Sequence, residues 1–482
     1  MAGCIEYLNS GTQLLSMMEA WELQISVGDL LIDFSLIGLL LLCGTAFRRY
    51  LPFFQRFLIP SSLVAGFLGL ILGSELLGIL PFSADRMGAY VYHLLALTFI
   101  CVGLFKTEQK HSWGVVNLGF MQVVVMLIQG IVGLSIALLV VITIVPDFNP
   151  ATGILLPLGF AMGPGIAYSI GQSWSAFGFE NGGSVGLTFA AVGFLVAYFI
   201  GMMLVNKEVA KHPRRELAAH IRTGVREEGD RPVGSLQTFS NASIEPFAVH
   251  LALIGAIYLL TYWLTSGLAF LLNQAGLAAE IPVLWSFHFI FANIIALGVR
   301  RILLKGGRGE WIDNGTIHRL TGSFAEYLIA ASIMAISLSI ALRFALPIAL
   351  VCIVGAALTY QFLKWACWKI FDTHEFERFI GMFAQMTGTI SSGLALIRVT
   401  DPDYRSPVAQ ELVLSSGMAL SLGFPLLILI NMPFTVFDGE FDGFLIVLCL
   451  MLIYLAILLG AWYGYFRKKT VQQASLQTEK QT

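Results

Sequence analysis

The sequence predicts an all-α polytopic membrane protein: two inverted repeats of five transmembrane helices, each with a re-entrant or broken helical hairpin, plus one extra C-terminal transmembrane helix. Three observations predict it. Of 482 residues, 57% are hydrophobic and 12% charged, and mean hydropathy is +0.79; soluble domains carry about 25% charged residues. Apolar runs of about 20 residues, long enough to cross a bilayer, recur along the whole chain. The order of runs and irregular stretches in the first half also recurs in the second.

Read in order, residues 1–29 form an extracytoplasmic segment. It lacks a basic start and is interrupted by Glu6, Glu19 and Glu22, unlike a signal peptide. The first repeat, 30–206, holds spans near 30–47, 58–80, 89–106 and 116–145, a broken hairpin at 152–174, and a span at 184–206. A polar linker at 207–245 carries seven basic and six acidic residues with Pro213 and Pro232. The second repeat, 246–432, gives spans at 246–272, 282–304, 321–341 and 344–371, an irregular stretch at 376–397, and a span at 409–432. The extra span lies at 442–466 within 433–466, and the tail 467–482 is polar.

The basic residues orient this map. If both irregular stretches enter and leave on one face and the N-terminus is outside, only Arg86 and Arg343 of the 28 Lys and Arg fall outside, leaving 28 − 2 = 26 on cytoplasmic segments. That satisfies the positive-inside rule and predicts a multi-pass inner-membrane protein with a cytoplasmic C-terminus. Hairpins that crossed fully would put basic loops or the linker outside.

The irregular stretches carry the candidate chemistry. Gly163-Pro164-Gly165 breaks the first, since proline removes a backbone donor and glycine adds backbone freedom. Tyr168, Ser169, Gln172 and Ser173 follow at once. In the second, Gln385, Thr387, Thr389, Ser391 and Ser392 surround the break at Gly388. Broken backbone at membrane depth survives where protein buries it or it lines a cavity. Breaks at corresponding places of two inverted halves mark the binding site of a secondary transporter. Freed amides there suit an anion. Hydroxyls, with Thr387, Thr389 and Ser391 foremost, and freed carbonyls suit Na⁺. Asn293, mid-span, is a binding candidate or interhelical glue.

No HExxH, phosphate-binding loop or defensible Ser-His-Asp order is present, so the sequence predicts no enzyme and no resident cofactor. The six cysteines lack metal-ligand spacing.

Several stretches resemble the bacterial sodium/glutamate symporter family, in order from about residue 36 to 432. Ile59-Pro-Ser-Ser-Leu-Val-Ala-Gly66 resembles its IPEPVAGG. Leu95-Ala-Leu-Thr-Phe-Ile-Cys-Val-Gly-Leu104 resembles its LMLAFFATIGL. Gly178-Phe-Glu-Asn181 and Phe189-Ala-Ala-Val-Gly193 resemble YGFTN and ACATFG. Asn293 falls on the asparagine ending GVILSN, and Gly322–Leu328 on GNVSLSL. The departures fall on the loops: Met162-Gly-Pro-Gly165 stands for Gly-Gly-His-Gly, Gln385–Ser392 for GFGLGATPTA, and Leu422 or a neighbour for an aspartate. Only Gly163, Gly165 and Gly388 match as backbone positions.

The resemblance implies a homodimeric, sodium-coupled transporter of a small anionic substrate, a glutamate-like amino acid or carboxylate, working by alternating access. The alternative is a channel-like or sensory membrane protein on the same scaffold without coupled transport.

Overall fold

The computed structural model describes residues 27–105, 112–146, 148–210, 245–401 and 406–479, with 466–479 as helix backbone only. Expectations for the N-terminal segment before residue 27, for linker residues 211–244 and for the tail beyond 479 lie outside the described residues.

Every regular element among the described residues is helical. In the first half these are α1 (Val27–Tyr50), the short α2 (Pro52–Phe57), α3 (Ser61–Leu72), α4 (Ala84–Leu104) and α5 (Trp113–Thr143). Hairpin 1 comprises α6 (Ala151–Pro157), prolonged by a π turn Leu158–Met162, and α7 (Pro164–Ser173); α8 (Gly182–Val209) follows. In the second half come α9 (Pro246–Gln274), α10 (Ile281–Ser286), α11 (His288–Lys305), α12 (Asn314–Met334), α13 (Leu338–Arg343) and α14 (Ala345–Ile370). Hairpin 2 is α15 (Glu375–Thr387) and α16 (Ile390–Thr400), followed by α17 (Val408–Thr435) and α18 (Phe441–Glu479).

The helix starts follow capping rules. Ser83 and Ser112 accept the amide hydrogens of Arg86 and Val115, and Asp313 accepts those of Gly315 and Thr316. Pro52, Pro164, Pro246 and Pro282 sit in first turns, where the missing N–H costs nothing. Eight described helices are long and apolar enough to cross a membrane, and α10 with α11 adds a ninth if the bent pair is one span. This is the build of a multi-pass membrane protein.

Three expected spans differ. The expected 58–80 helix stops at Leu72, whose carbonyl accepts from both Ile79 and Leu80 and turns the chain back. The 282–304 span bends by 60° between Ser286 and His288. The 321–341 span starts earlier, at Asn314, because Asp313 caps it there, and it ends at Met334.

Side-chain contacts fix which helix ends share a face. Around the described ends of the linker lie the Arg300–Phe105 bond, the Phe105–His318 contact, the Asp313–His250 bond and the Arg378–Glu411 pair. At the opposite face Asp33 pairs with Arg86, Phe148 meets Phe344, and Phe434 meets both Trp174 and Phe444.

Hairpin 2 folds back on itself from the linker face: a Cβ on Gly381 would lie 2.6 Å from Ile397 Cδ1, and one on Gly393 would lie 2.6 Å from the Gly381 carbonyl. Hairpin 1 starts just after Phe148 and ends at Trp174, so both its arms open to the opposite face. Its first arm packs on α5 through Gly133 and Gly153, whose backbones touch. Its second arm packs along α8, Gly171 against Gly182 and Ala167 against Gly186.

The largest core joins α5, both hairpins, α14, α17 and α18. A second joins α1, α3 and α12 to one side of α8, and a third joins α4, α9, α11 and α12. Hairpin tips thus sit inside the largest core, with α4 and α8 as walls.

Candidate functional site

The two helix breaks meet. Gly163 ends the first arm of hairpin 1 at φ 91°, ψ 169°, a region closed to residues with a Cβ. Pro164 then starts α7, and no side chain caps that start. In hairpin 2 the break falls at Gly388, and Thr389, in extended conformation, starts α16, again without a side-chain cap. A Cβ on Gly163 would lie 3.5 Å from Thr389 Cγ2. Hairpins entering from opposite faces therefore touch at their tips, each bringing the N-terminal, positive end of a half-helix to the same place.

The tips are held close by small residues. A Cβ on Gly165 would lie 2.6 Å from Leu95 Cδ1 of α4, and Gly193 of α8 lies against the Thr387 carbonyl. Thr389 Oγ1 and Ser392 Oγ stand 3.5 Å apart, and Ser392 Oγ donates to the Tyr198 hydroxyl of α8 at 3.1 Å. Thr387 Oγ1 donates to the Phe383 carbonyl at 2.8 Å, leaving its lone pairs. Ser391 is exposed, Thr389 half-buried, and Gly163, Pro164, Gly165, Gly388 and Ser392 buried.

The other candidates lie elsewhere. Tyr168 packs against Gly88 of α4. Ser169 Oγ donates to the Ser286 carbonyl at 2.8 Å, tying hairpin 1 to α10. Gln172 is exposed beside Gly183 near the far end of α7. Asn293 Nδ2 donates to the Phe99 carbonyl at 3.0 Å, joining α11 to α4. Tyr168, Ser169 and Asn293 join helices to one another, Gln172 is exposed, and none of the four is brought to the tips.

Gln385 is buried just below the break. Its Nε2 donates to Ser416 Oγ at 2.9 Å, while its Oε1 is buried without a partner. Gln129 of α5, fully buried, reaches the backbone of the next residue: its Nε2 donates to Thr359 Oγ1 at 3.0 Å and to the Met386 carbonyl at 2.9 Å. Its Oε1 also has no partner. A buried polar atom left unpaired costs about 1–3 kcal/mol. Sequence reading passed over Gln129, although it lies in the longest apolar helix, where an amide must find partners just as Asn293 must. Thr359 and Tyr198 carry no such signal, since their roles come from pairings across the fold.

The base of hairpin 2 is locked. Arg378 Nε donates to Glu411 Oε2 at 2.9 Å, its Nη1 donates to the Thr373 carbonyl, and its guanidinium lies 4.2 Å from the Phe371 ring centroid. Ser112 Oγ reaches the other Glu411 oxygen at 3.5 Å.

Among the described residues no group of three His, Cys, Asp or Glu is placed to hold a metal ion. The donors at the tips are hydroxyls, amides and carbonyls. Such a set has the chemistry to suit a hard monovalent cation or the carboxylate of a small ligand.

Compared with protein-family models, curated proteins and solved structures, the chain finds no match in any of the three.

Proposed function

We propose that the protein is a sodium-coupled secondary transporter that moves a small anionic substrate, an amino acid or carboxylate, by alternating access. One observation carries the reading: two uncapped half-helix starts, at Gly163-Pro164 and Thr389, approach each other from hairpins that open to opposite faces. Amides of the two first turns, with the Thr389 hydroxyl, are donors for a carboxylate. Ser391, exposed at the same turn, is a further hydroxyl at its edge. Each hairpin shields the meeting point from its partner's face, as a gate must.

The inverted repeat belongs to this proposal, and exchange-related contacts support it. Helix α4 packs on α11 while α12 packs on α3; α1 packs on α3 while α9 packs on α11. The first arm of each hairpin packs on the long helix just before it, α6 on α5 and α15 on α14. Cytoplasmic placement of the linker face rests on its basic residues. Membership of the sodium/glutamate symporter family, and a homodimer, rest on the sequence resemblance alone.

Ligand-dependent melting of the purified full-length protein tests the reading. Acidic amino acids and dicarboxylates, screened in NaCl and in KCl, are expected to raise the melting temperature more in Na⁺ for at least one anion. No anion-dependent shift in either salt would contradict it.

A further inference from the structure

We infer that the coupling cation binds below the hairpin 2 break, between Gln129 and Gln385, at the carbonyl end of α15. This rests on the transporter reading for the word coupling, though the site stands on its own geometry. It differs from the hydroxyl set Thr387, Thr389 and Ser391, two of which lie past the break.

Two buried side-chain oxygens near the hairpin 2 break, Gln129 Oε1 and Gln385 Oε1, have no hydrogen-bond partner. Gln129 Nε2 faces the Met386 carbonyl, which only accepts, so the nitrogen has to be on that side and the amide cannot be flipped. Gln385 Nε2 donates to Ser416 Oγ, whose own hydrogen goes to the Leu412 carbonyl. In this arrangement both Oε1 atoms are buried without a partner. Native folds pair nearly all such atoms. Two orphans on one turn, one on a side chain from α15 itself and one reaching it from α5, call for a positive group that the protein does not supply.

The surroundings suit a cation. Gln129 Oε1 shares a carbon with the nitrogen bonded to Met386, so it lies beside the last turn of α15. At this negative helix end Gly388 gives no capping N–H back to the preceding carbonyls. Thr359 Oγ1 of α14 touches the same amide, and fully buried Thr387 adds a hydroxyl one residue on. All these donors are neutral oxygens, and none is a carboxylate. That composition favours a singly charged hard ion over Ca²⁺ or Mg²⁺, which take carboxylates. It also places the cation on the opposite side of the break from the half-helix start at Thr389. The two charges of cation and anion would flank the same two residues and stabilise each other's site.

The test is the Na⁺ concentration that gives half of the full melting-temperature shift, measured on full-length protein at constant ionic strength with choline as filler. The inference expects a saturable Na⁺ shift that choline does not give, and an increase of about tenfold or more in that concentration for Gln129→Leu and for Gln385→Leu. Gln129→Glu, which keeps an oxygen in place, is expected to retain the shift. If Gln129→Leu fails to fold, Gln385→Leu and Gln129→Glu still read the same quantity. A wild-type protein without a Na⁺-specific shift, or a folded Gln→Leu variant with an unchanged midpoint, overturns the site. Na⁺-driven uptake with unchanged midpoints would sink this site and leave the transporter reading standing. Intact Na⁺ binding without any uptake would do the reverse.

Discussion

Gly163 and Thr389, 226 residues apart in sequence, stand with a Cβ position of one 3.5 Å from the Cγ2 of the other. Their backbones differ in kind. Gly163 has φ 91° and ψ 169°, where only glycine is at ease, whereas Thr389 is extended and tolerates any side chain. Gly163→Ala is therefore expected to strain the tip by about 1–3 kcal/mol and to lower both melting temperature and ligand response. Thr389→Ala is expected to keep the melting temperature and weaken the ligand response. Equal loss of stability in both variants would show that the tip contact is packing alone.

The Arg378–Glu411 pair is nearly dry, with side chains 6% and 9% exposed. Removing one partner from a buried pair strands the other charge and costs about 3–5 kcal/mol. Glu411→Gln should thus lower stability strongly, and Arg378→Met with Glu411→Leu together should recover much of it. Gly114 lies directly against the Glu411 carboxylate, so Gly114→Ala should reproduce part of the loss. Denaturant titration of the four proteins in detergent measures this; additive losses in the double variant would contradict it.

The Gly133–Gly153 contact is backbone on backbone, so neither side can yield. Gly153→Val is expected to push the first arm of hairpin 1 off α5. Protection of hairpin 1 amides from hydrogen exchange should fall, while that of hairpin 2 should not. Equal change in both hairpins would mean that the arms move as one unit.

Asp313 gives the pH dependence of one loop. Burial opposes its charge, but the Thr316 hydroxyl and the amides of Thr316 and Gly315 donate to it, and together they hold its pKa below the ordinary carboxylate value of 3.8. A folded pKa below the unfolded one gives stability that is complete above the unfolded value and is lost as pH falls through the folded value. Asp313→Asn should cost stability at neutral pH, with the gap to wild type narrowing only below about pH 4. A gap that stays constant to pH 3 would show that the cap acts without its charge.

Much of this architecture was legible in the chain. Apolar runs set the long helices to within a few residues, since membrane helices are bounded by what lipid tolerates. Gly163-Pro164-Gly165 and Gly388 marked both breaks, because backbone chemistry there is local. The basic residues indicated that each hairpin returns to its own face, and the described contacts agree. The early stop at Leu72 and the bend before His288 were not legible, as they depend on turns that apolar composition does not encode. Nor was the fate of Gln172 and Asn293: polarity in a span shows that a partner is needed, not which one. Gln129 finds its partners 230 and 257 residues away, on Thr359 and Met386.

On the proposed function, the meeting hairpins drive coupled transport. Uptake of labelled acidic amino acids and dicarboxylates into proteoliposomes holding the full-length protein tests it most directly, with an inward Na⁺ gradient against an equal K⁺ gradient. Coupled transport requires accumulation of at least one anion above equilibrium under the Na⁺ gradient only, abolished by Gly163→Ala. Anion movement that merely equilibrates in either salt, or none for any anion, would contradict it.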